Sequence, residues 1–307
     1  MLVKEKLMMR EEFSEVDIAI ANYVLEREYQ LKQDSVRRIA QETYVSPSSI
    51  IRFCQKLGYE GYNDFRDDYL KELKYLSSHF KNIDPNFPFK RTDKNTVVAN
   101  KLATLYEETI QDCLSLIHHD SLQQAINMLN KAKHIYICAS GAQVELASVF
   151  KVKMMKIGKG VVVYSHAEDI YYQACYCEQD SCFIMISYSG ETDKILKVAK
   201  KIKERGIDGL AMTSYGNNTL SSLIDCCLYV STREKLVSNL GTFGLNICIM
   251  YLLDVLYSNC FNSDYENNLD KKIKNSLAFE KSERIGGRHS DNPILKEEWN
   301  NVLYVPS

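Results

Sequence analysis

Long apolar runs are missing from this chain of 307 residues. None reaches the roughly 20 residues needed to span a bilayer. The longest, Leu245 to Leu256, is interrupted by Asn246 and Asp254 and reads as a core helix. The start of the chain mixes Lys4, Glu5 and Lys6 and lacks the apolar stretch of a signal peptide. The expectation is a cytoplasmic protein with no membrane partner. Charge of one sign is lacking too: 38 basic residues face 40 acidic ones, a formal net charge of −2. Bulk charge therefore does not advertise a polyanionic partner. Histidine is scarce, at six residues, and no nucleophile–base arrangement is legible around them. His166 and Glu168 come nearest to a titratable pair, and a non-enzyme is expected. Cysteine is plentiful, at ten residues, but lacks a pattern. Cys138, Cys182, Cys226, Cys227 and Cys248 sit inside apolar runs, where the thiol behaves as a small hydrophobe. Cys175 and Cys177 form a lone C-x-C with no His–Cys array nearby, which argues against a zinc site and a disulfide framework. No cofactor and no metal are expected, and no internal repeat is present.

A globular composition, 45% hydrophobic and 25% charged, and the length allow about two domains. Residues 15–75 read as consecutive helices, with Val16, Ile20, Tyr23 and Val24 at helical spacing. Proline is rare, at five residues, yet Pro85 and Pro88 fall close together among polar residues and mark a linker. After it come helices at 96–113 and 121–132. Short apolar runs at 134–139, 160–164, 181–187, 207–213 and 226–230 then alternate with helical stretches at 144–157, 169–177, 193–205 and 219–224. That alternation specifies a parallel sheet covered on both faces. A long apolar helix over 240–260 closes it. The expected division is 1–76 for an all-α domain, 77–95 for the linker, 96–262 for an α/β domain and 263–307 for a polar extension, with a loop at Ile285 to Ser290.

Two stretches carry chemistry. Cys182 to Ile186 is an apolar run that feeds into Ser187-Tyr188-Ser189-Gly190-Glu191-Thr192, and a charged amphipathic helix follows. A strand, a hydroxyl-rich turn and a helix start in that order gather backbone N–H groups, hydroxyls and a positive helix end into one volume, the parts of an anion site. The second stretch is Ser35 to Gly58. Ser35 and Ser46 are N-cap candidates, with Pro47 at a first helical position, and Gly58 suits a C′ position. A helix with an Ile39/Ala40 face, a short turn and a second helix make a helix-turn-helix layout. Residues 1–75 hold 12 basic and 14 acidic side chains, which counts against DNA binding. Between Ser35 and Gly58, however, Arg37, Arg38, Arg52 and Lys56 face a single acid, Glu42. Ser46, Ser48, Ser49, Arg52 and Lys56, with Arg37 on the preceding helix, are the candidate DNA contacts.

The phrase Val45 to Phe65, containing Ser46-Pro47-Ser48-Ser49-Ile50-Ile51-Arg52-Phe53-Cys54-Gln55-Lys56-Leu57-Gly58, closely resembles the recognition-helix signature of RpiR/MurR-type transcriptional regulators. The spacing S-x-S-G-E-T over 187–192 resembles the phosphosugar loop of SIS (sugar isomerase) domains, and that family joins the two in this order. The resemblance covers about residues 10–260. It implies an all-α helix-turn-helix domain followed by an α/β SIS domain with a five-stranded parallel sheet flanked by helices. It further implies that Ser187, Ser189 and Thr192 bind a phosphate or nearby hydroxyls, that Gly190 admits close backbone approach, and that Glu191 is the motif carboxylate. The partners it implies are double-stranded operator DNA, a phosphorylated sugar effector and a second copy of the chain, as homodimer or homotetramer. Three departures stand out. Tyr44 holds the turn position where relatives usually have Gly, which predicts a different turn geometry because Tyr tolerates positive φ poorly. Ala139-Ser140-Gly141-Ala142-Gln143 replaces G-x-G-x-S: Gly141 keeps the second Gly, Gln143 stands for the final Ser, and Ser140 is placed to compensate. Gly244-Leu245-Asn246 stands where many relatives carry Ser-Ser-Arg. A sugar-phosphate isomerase with an accessory helical domain, and a regulator whose SIS domain serves only oligomerisation, remain the alternatives.

Overall fold

The computed structural model describes residues 2–10, 13–78, 82–164 and 166–283. His79 and the expected loop at Ile285 to Ser290 lie outside the described residues.

The N-terminal head consists of α1 (Val3–Met8), α2 (Glu15–Arg27), a 3₁₀ turn (Glu28–Gln33), α3 (Val36–Glu42), α4 (Pro47–Lys56) and α5 (Tyr62–Ser78). Local chemistry sets the starts of α2, α3 and α4. Ser14 and Asp17 form a capping box, Ser35 accepts from the Arg38 amide, and Ser46 accepts from the Ser49 amide with Pro47 in the first turn. The apolar faces close on one core that includes Ile20, Val24, Leu31, Ile39, Ile50, Phe53, Phe65 and Tyr69. Sequence patterning missed α1, which is short. Its anchor is distant: the Glu72 carboxylate on α5 accepts the Lys4 amide at 2.8 Å and the Val3 amide. Burial pushes that carboxyl up to about 7.

The expectation of a different turn at Tyr44 is corrected. Tyr44 adopts φ +55°. The Val45 amide reaches the Ala40 carbonyl at 3.0 Å and the Tyr44 amide reaches Gln41 at 3.4 Å, so α3 ends in a Schellman motif with Tyr at C′. The steric cost of about 1 kcal/mol is outweighed by satisfied helix-end carbonyls, and the ring stands 97% exposed, clear of the crowded turn.

The second unit begins with α6 (Asn95–Ser115) and α7 (His119–Lys131), followed by β1 (His134–Cys138), α8 (Gln143–Met155), β2 (Val161–Tyr164), α9 (Ala167–Tyr176), β3 (Ser181–Ser187), α10 (Asp193–Arg205), β4 (Asp208–Ser214), α11 (Thr219–Leu223), β5 (Cys226–Val230), α12 (Phe243–Asn262) and α13 (Tyr265–Glu283). The five strands run in the order β2-β1-β3-β4-β5, all parallel, with Ile135 beside Cys182 and Ile184 beside Leu210. The central strand β3 is buried at every position, as its unbroken apolar run requires. One face packs under α7, α8 and α12, the other under α9, α10 and α11. Among the described residues α12 alone is long and apolar enough to cross a membrane, by length and composition. Here it buries Leu245, Cys248, Ile249, Leu252 and Leu256 in the core. It begins at Phe243 rather than 240, because Leu240 belongs to the preceding loop and donates its amide to Asn86. The polar extension expected from 263 is helical as far as Glu283.

A buried polar cluster joins the two units. Asp112 on α6 is fully buried. Its carboxylate accepts from the Tyr75 phenol (2.7 Å), the Ser231 hydroxyl (2.6 Å) and the Arg233 guanidinium (3.0 Å). Arg233 also donates to the Leu76 carbonyl at 2.8 Å and to that of Tyr75, capping the end of α5, and stacks 4.4 Å from the Tyr75 ring centre. No local sequence signal announces this pairing across more than a hundred residues.

Candidate functional site

Strand order reverses direction between β1 and β3, so the loops leaving their C-terminal ends part around a crevice. Cys138 at the end of β1 sits beside Met185 near the end of β3. Adjacent strands lie about 4.8 Å apart, so Ser140–Gln143 and Ser187–Thr192 emerge as neighbours. On the β3 side, Ser187 is buried and its hydroxyl meets that of Thr192 at 2.9 Å. The Ser189 hydroxyl accepts the Glu191 amide at 3.1 Å. Gly190 adopts φ +68°, and a Cβ there would fall 2.0 Å from the Asn218 side-chain oxygen, so the turn needs glycine twice over. The Glu191 carboxylate is engaged by Thr219, accepting its amide at 2.8 Å and its hydroxyl at 2.7 Å, which ties the turn to the start of α11.

The N-termini of the two helices flanking the crevice carry the electrostatics. Neither α8, preceded by Ala142, nor α10, preceded by Thr192, receives a side-chain cap. The hydroxyls of the turn are thus not spent capping α10, although each helix carries an acid in its first turn, Glu145 on α8 and Asp193 on α10, and the Val144 and Glu145 amides of α8 turn back onto the Gly141 and Ala142 carbonyls at 3.2 Å. On the β1 side Gly141 adopts φ +59°, and the Gln143 side-chain oxygen lies 3.6 Å from where its Cβ would be. Ser140 is exposed and Gln143 half-buried. Gln143 thus fills space beside the turn that a shorter serine would leave open. The N-terminus of α12 differs: the Glu234 carboxylate accepts the Gly244 and Leu245 amides, each at 2.8 Å. Burial raises the Glu234 carboxyl, and those two bonds lower it in part. Asn246 donates to the Thr242 hydroxyl at 3.2 Å. His166 and Glu168 are exposed at the start of α9. An open depression of about 430 Å³ lined by His119, Asp120, Gln123, Lys131 and Asp208 lies at the N-terminal end of β4, the wrong end of such a sheet for ligand chemistry.

On the head, Ser46, Ser48, Ser49 and Arg52 share the exposed start of α4. The Ser46 hydroxyl lies 2.8 Å from those of Ser48 and Ser49, and Arg52 reaches Ser49 at 3.4 Å. Arg37 is exposed on α3. Lys56 is held by Asp17 at 3.0 Å and sits 5.4 Å from the Phe13 ring centre. Arg38 faces Asp34 at 3.3 Å, while Arg27 holds the same carboxylate at 2.9 Å. Burial opposes the charge on Asp34, but bonds from Arg27 and Tyr23 keep its carboxyl below the usual range. Much of the local basic charge is therefore paired within the head. Sequence reasoning missed Ile51 and Gln55, exposed on the same face of α4 one turn apart. Their signal was the helical spacing from Ser48 and Arg52. The ten cysteines are all free, and all but Cys175 are buried.

A helix-turn-helix head ahead of a doubly wound α/β domain is the build of a transcriptional regulator. The helix-turn-helix domain of the rpiR family matches residues 1–74, and the SIS domain matches 128–257, together more than half of the chain. The chain belongs to the rpiR family of helix-turn-helix regulators that carry a SIS domain. An uncharacterized HTH-type transcriptional regulator of Clostridium perfringens is 27% identical over 246 residues, which is 80% of this chain and 86% of that protein. The regulator YbbH of Bacillus subtilis is 24% identical over 249 residues, with 80% and 86% covered. Among solved structures, the Vibrio vulnificus NanR protein complexed with ManNAc-6P superposes with a TM-score of 0.59 at 22% identity, covering 91% of this chain and 98% of that one. The sugar isomerase domain of an RpiR transcription factor from Sphaerobacter thermophilus gives 0.52 at 14% identity, covering 58% and 97%. At these identities the structural matches speak for the fold.

Proposed function

We propose that this regulator binds operator DNA through α4 and senses a phosphorylated sugar at the crevice between β1 and β3. One observation carries the sensing: two helix N-termini without side-chain caps flank a turn lined by Ser187, Ser189 and Thr192. That arrangement offers amides and hydroxyls to a dianion, as a binding site needs. The ManNAc-6P complex of NanR supports the ligand class. Ser140, Gly141 and Gln143 face the same phosphate from the β1 side, and Gln143 narrows the choice of sugar. Glu191 acts by fixing the turn to Thr219. The protein works in the cytoplasm as a homodimer or homotetramer, because a helix-turn-helix reads paired half-sites.

In a melting titration, a hexose 6-phosphate or ManNAc-6P should raise Tm by mass action, and the unphosphorylated sugar should do much less. Ser189→Ala should abolish that shift and leave the unliganded Tm within a degree or two, since its hydroxyl receives a single backbone bond. A variant that responds like the wild type would sink the assignment of the loop.

For the head, Arg52→Ala should weaken specific DNA binding by roughly 1–3 kcal/mol. Arg52 is exposed on α4 and donates to Ser49 at 3.4 Å. Lys56→Ala should do less, because Asp17 already holds that ammonium. Gel-shift affinity for a duplex selected by the wild-type protein distinguishes the two. Equal loss from both would mean that Lys56 leaves Asp17 for the phosphate backbone.

A further inference from the structure

The short segment Ser231–Lys235, between β5 and α12, touches both the crevice and the DNA-reading head. At one end it meets the ligand turn. Tyr188, which sits between Ser187 and Ser189, donates its phenol to the Glu234 carbonyl at 2.6 Å, and its own carbonyl accepts the Ser214 amide at 3.0 Å. At the other end it meets α5. The Thr232 amide donates to the Tyr75 phenol at 2.8 Å, and Arg233 forks onto the last carbonyls of α5. The Tyr75 ring also packs 4.9 Å from that of Tyr215 in the loop after β4, whose amide bonds Thr232 at 2.7 Å. From Tyr75 the helix runs back without a break into the head core through Leu73, Tyr69 and Phe65. A helix of that length spans about 25 Å and moves as a unit. Side chains in the chain from Tyr188 to Tyr75 are buried or half-buried, which strengthens these bonds relative to exposed ones.

We propose that Tyr188 and Arg233 are positioning residues that couple the ligand turn to the DNA-binding head through the Ser231–Lys235 segment. The inference rests on the reading of the crevice as a phosphosugar site and adds how its occupancy is felt at the head. A ligand that favours one placement of the Ser187–Thr192 turn favours one placement of the Glu234 peptide. Arg233, the next residue, then favours one placement of the end of α5. Coupling of this kind is a difference in affinity between two arrangements and is reciprocal: DNA must alter ligand affinity by the same factor as ligand alters DNA affinity.

Tyr188→Phe removes the phenol bond and keeps the ring in the core. Arg233→Lys keeps the charge and loses the fork. The full-length protein is titrated against a duplex selected by the wild type from random-sequence DNA, with and without the best binder among ManNAc-6P, glucose 6-phosphate and fructose 6-phosphate. The wild type should show a ligand-induced change in DNA affinity on the order of tenfold. In Tyr188→Phe that factor should fall to within about twofold of unity. Its ligand-induced Tm shift and its ligand-free DNA affinity should both be kept. A merely structural tyrosine would change Tm and leave the factor alone. Arg233→Lys should lose the factor in the same way. A factor unchanged in Tyr188→Phe overturns the proposal. So does a wild type that melts higher with ligand but binds DNA equally with and without it, while the sugar site survives that result. Absence of any Tm shift with all three sugars removes the sugar site and this coupling together.

Discussion

Replacing Asp112 by alanine should cost the folded chain about 3–5 kcal/mol, the range for breaking a buried ion pair from one side. The carboxylate is fully buried and answers three donors at once: Tyr75, Ser231 and Arg233. Its loss removes the Asp112 charge from beside the Arg233 guanidinium, whose side chain is 8% exposed. It also strips the acceptor from the buried Ser231 hydroxyl, worth about 1–3 kcal/mol when unsatisfied, and removes one bond of the Tyr75 phenol. Asp112→Asn should cost less, because the amide oxygen still accepts. Urea unfolding of the full chain is the measurement. The midpoint should fall sharply with the slope little changed, the sign of lost stability without a changed folded surface. A loss below about 1 kcal/mol would mean that the cluster relaxes and admits water. Because Tyr75 belongs to α5, the same variant should also loosen the head from the α/β unit, visible as faster amide exchange at the last turn of α5.

What was legible in the sequence follows a physical line. Elements whose signals are local were readable. Ser46 and Pro47 announce α4, the apolar run from Cys182 announces β3, and the charged amphipathic run that follows the Ser187–Thr192 turn announces α10. The turn at Ser187–Thr192 was readable as a strand end, tight turn and helix start because its hydroxyls, glycine and following helix are consecutive. Partners distant in the chain were not. Nothing near Val3 predicts Glu72, nothing near Tyr75 predicts Arg233, and nothing near Lys56 predicts that Asp17 takes its charge. The Tyr44 expectation failed for another reason. Steric preference was weighed alone, whereas the two bonds that close α3 and the open space around the ring offset it. The candidate DNA face was found through its serines and Arg52, while Ile51 and Gln55 went unremarked because apolar and amide side chains on a helix read first as packing.

The turn at Gly190 makes the sharpest demand on a single side chain. Gly190→Ala should destabilise the protein by about 2–3 kcal/mol, from two separable causes. The first is conformational: φ +68° costs an L-residue about 1–2 kcal/mol. The second is a collision, since the new methyl would stand 2.0 Å from the Asn218 side-chain oxygen and 2.2 Å from its carboxamide carbon. Asn218 cannot yield freely. Its oxygen accepts the Ser221 amide at 2.9 Å as the N-cap of α11, and its nitrogen donates to the Ser214 carbonyl at 3.2 Å. Pushing it aside forfeits a cap worth about 1 kcal/mol. A double-mutant cycle separates the causes. In an Asn218→Gly background the collision is absent and glycine still caps tolerably, so Gly190→Ala should cost only the conformational part. If the full cost persists there, the clash is not the cause and the turn is rigid for another reason. Phosphosugar binding should be lost with Gly190→Ala in either background, because an alanine that escapes positive φ carries the Ser189 and Thr192 hydroxyls with it. Recovery of the ligand-induced Tm shift in the double variant would show that the hydroxyls hold their places whatever residue stands between them.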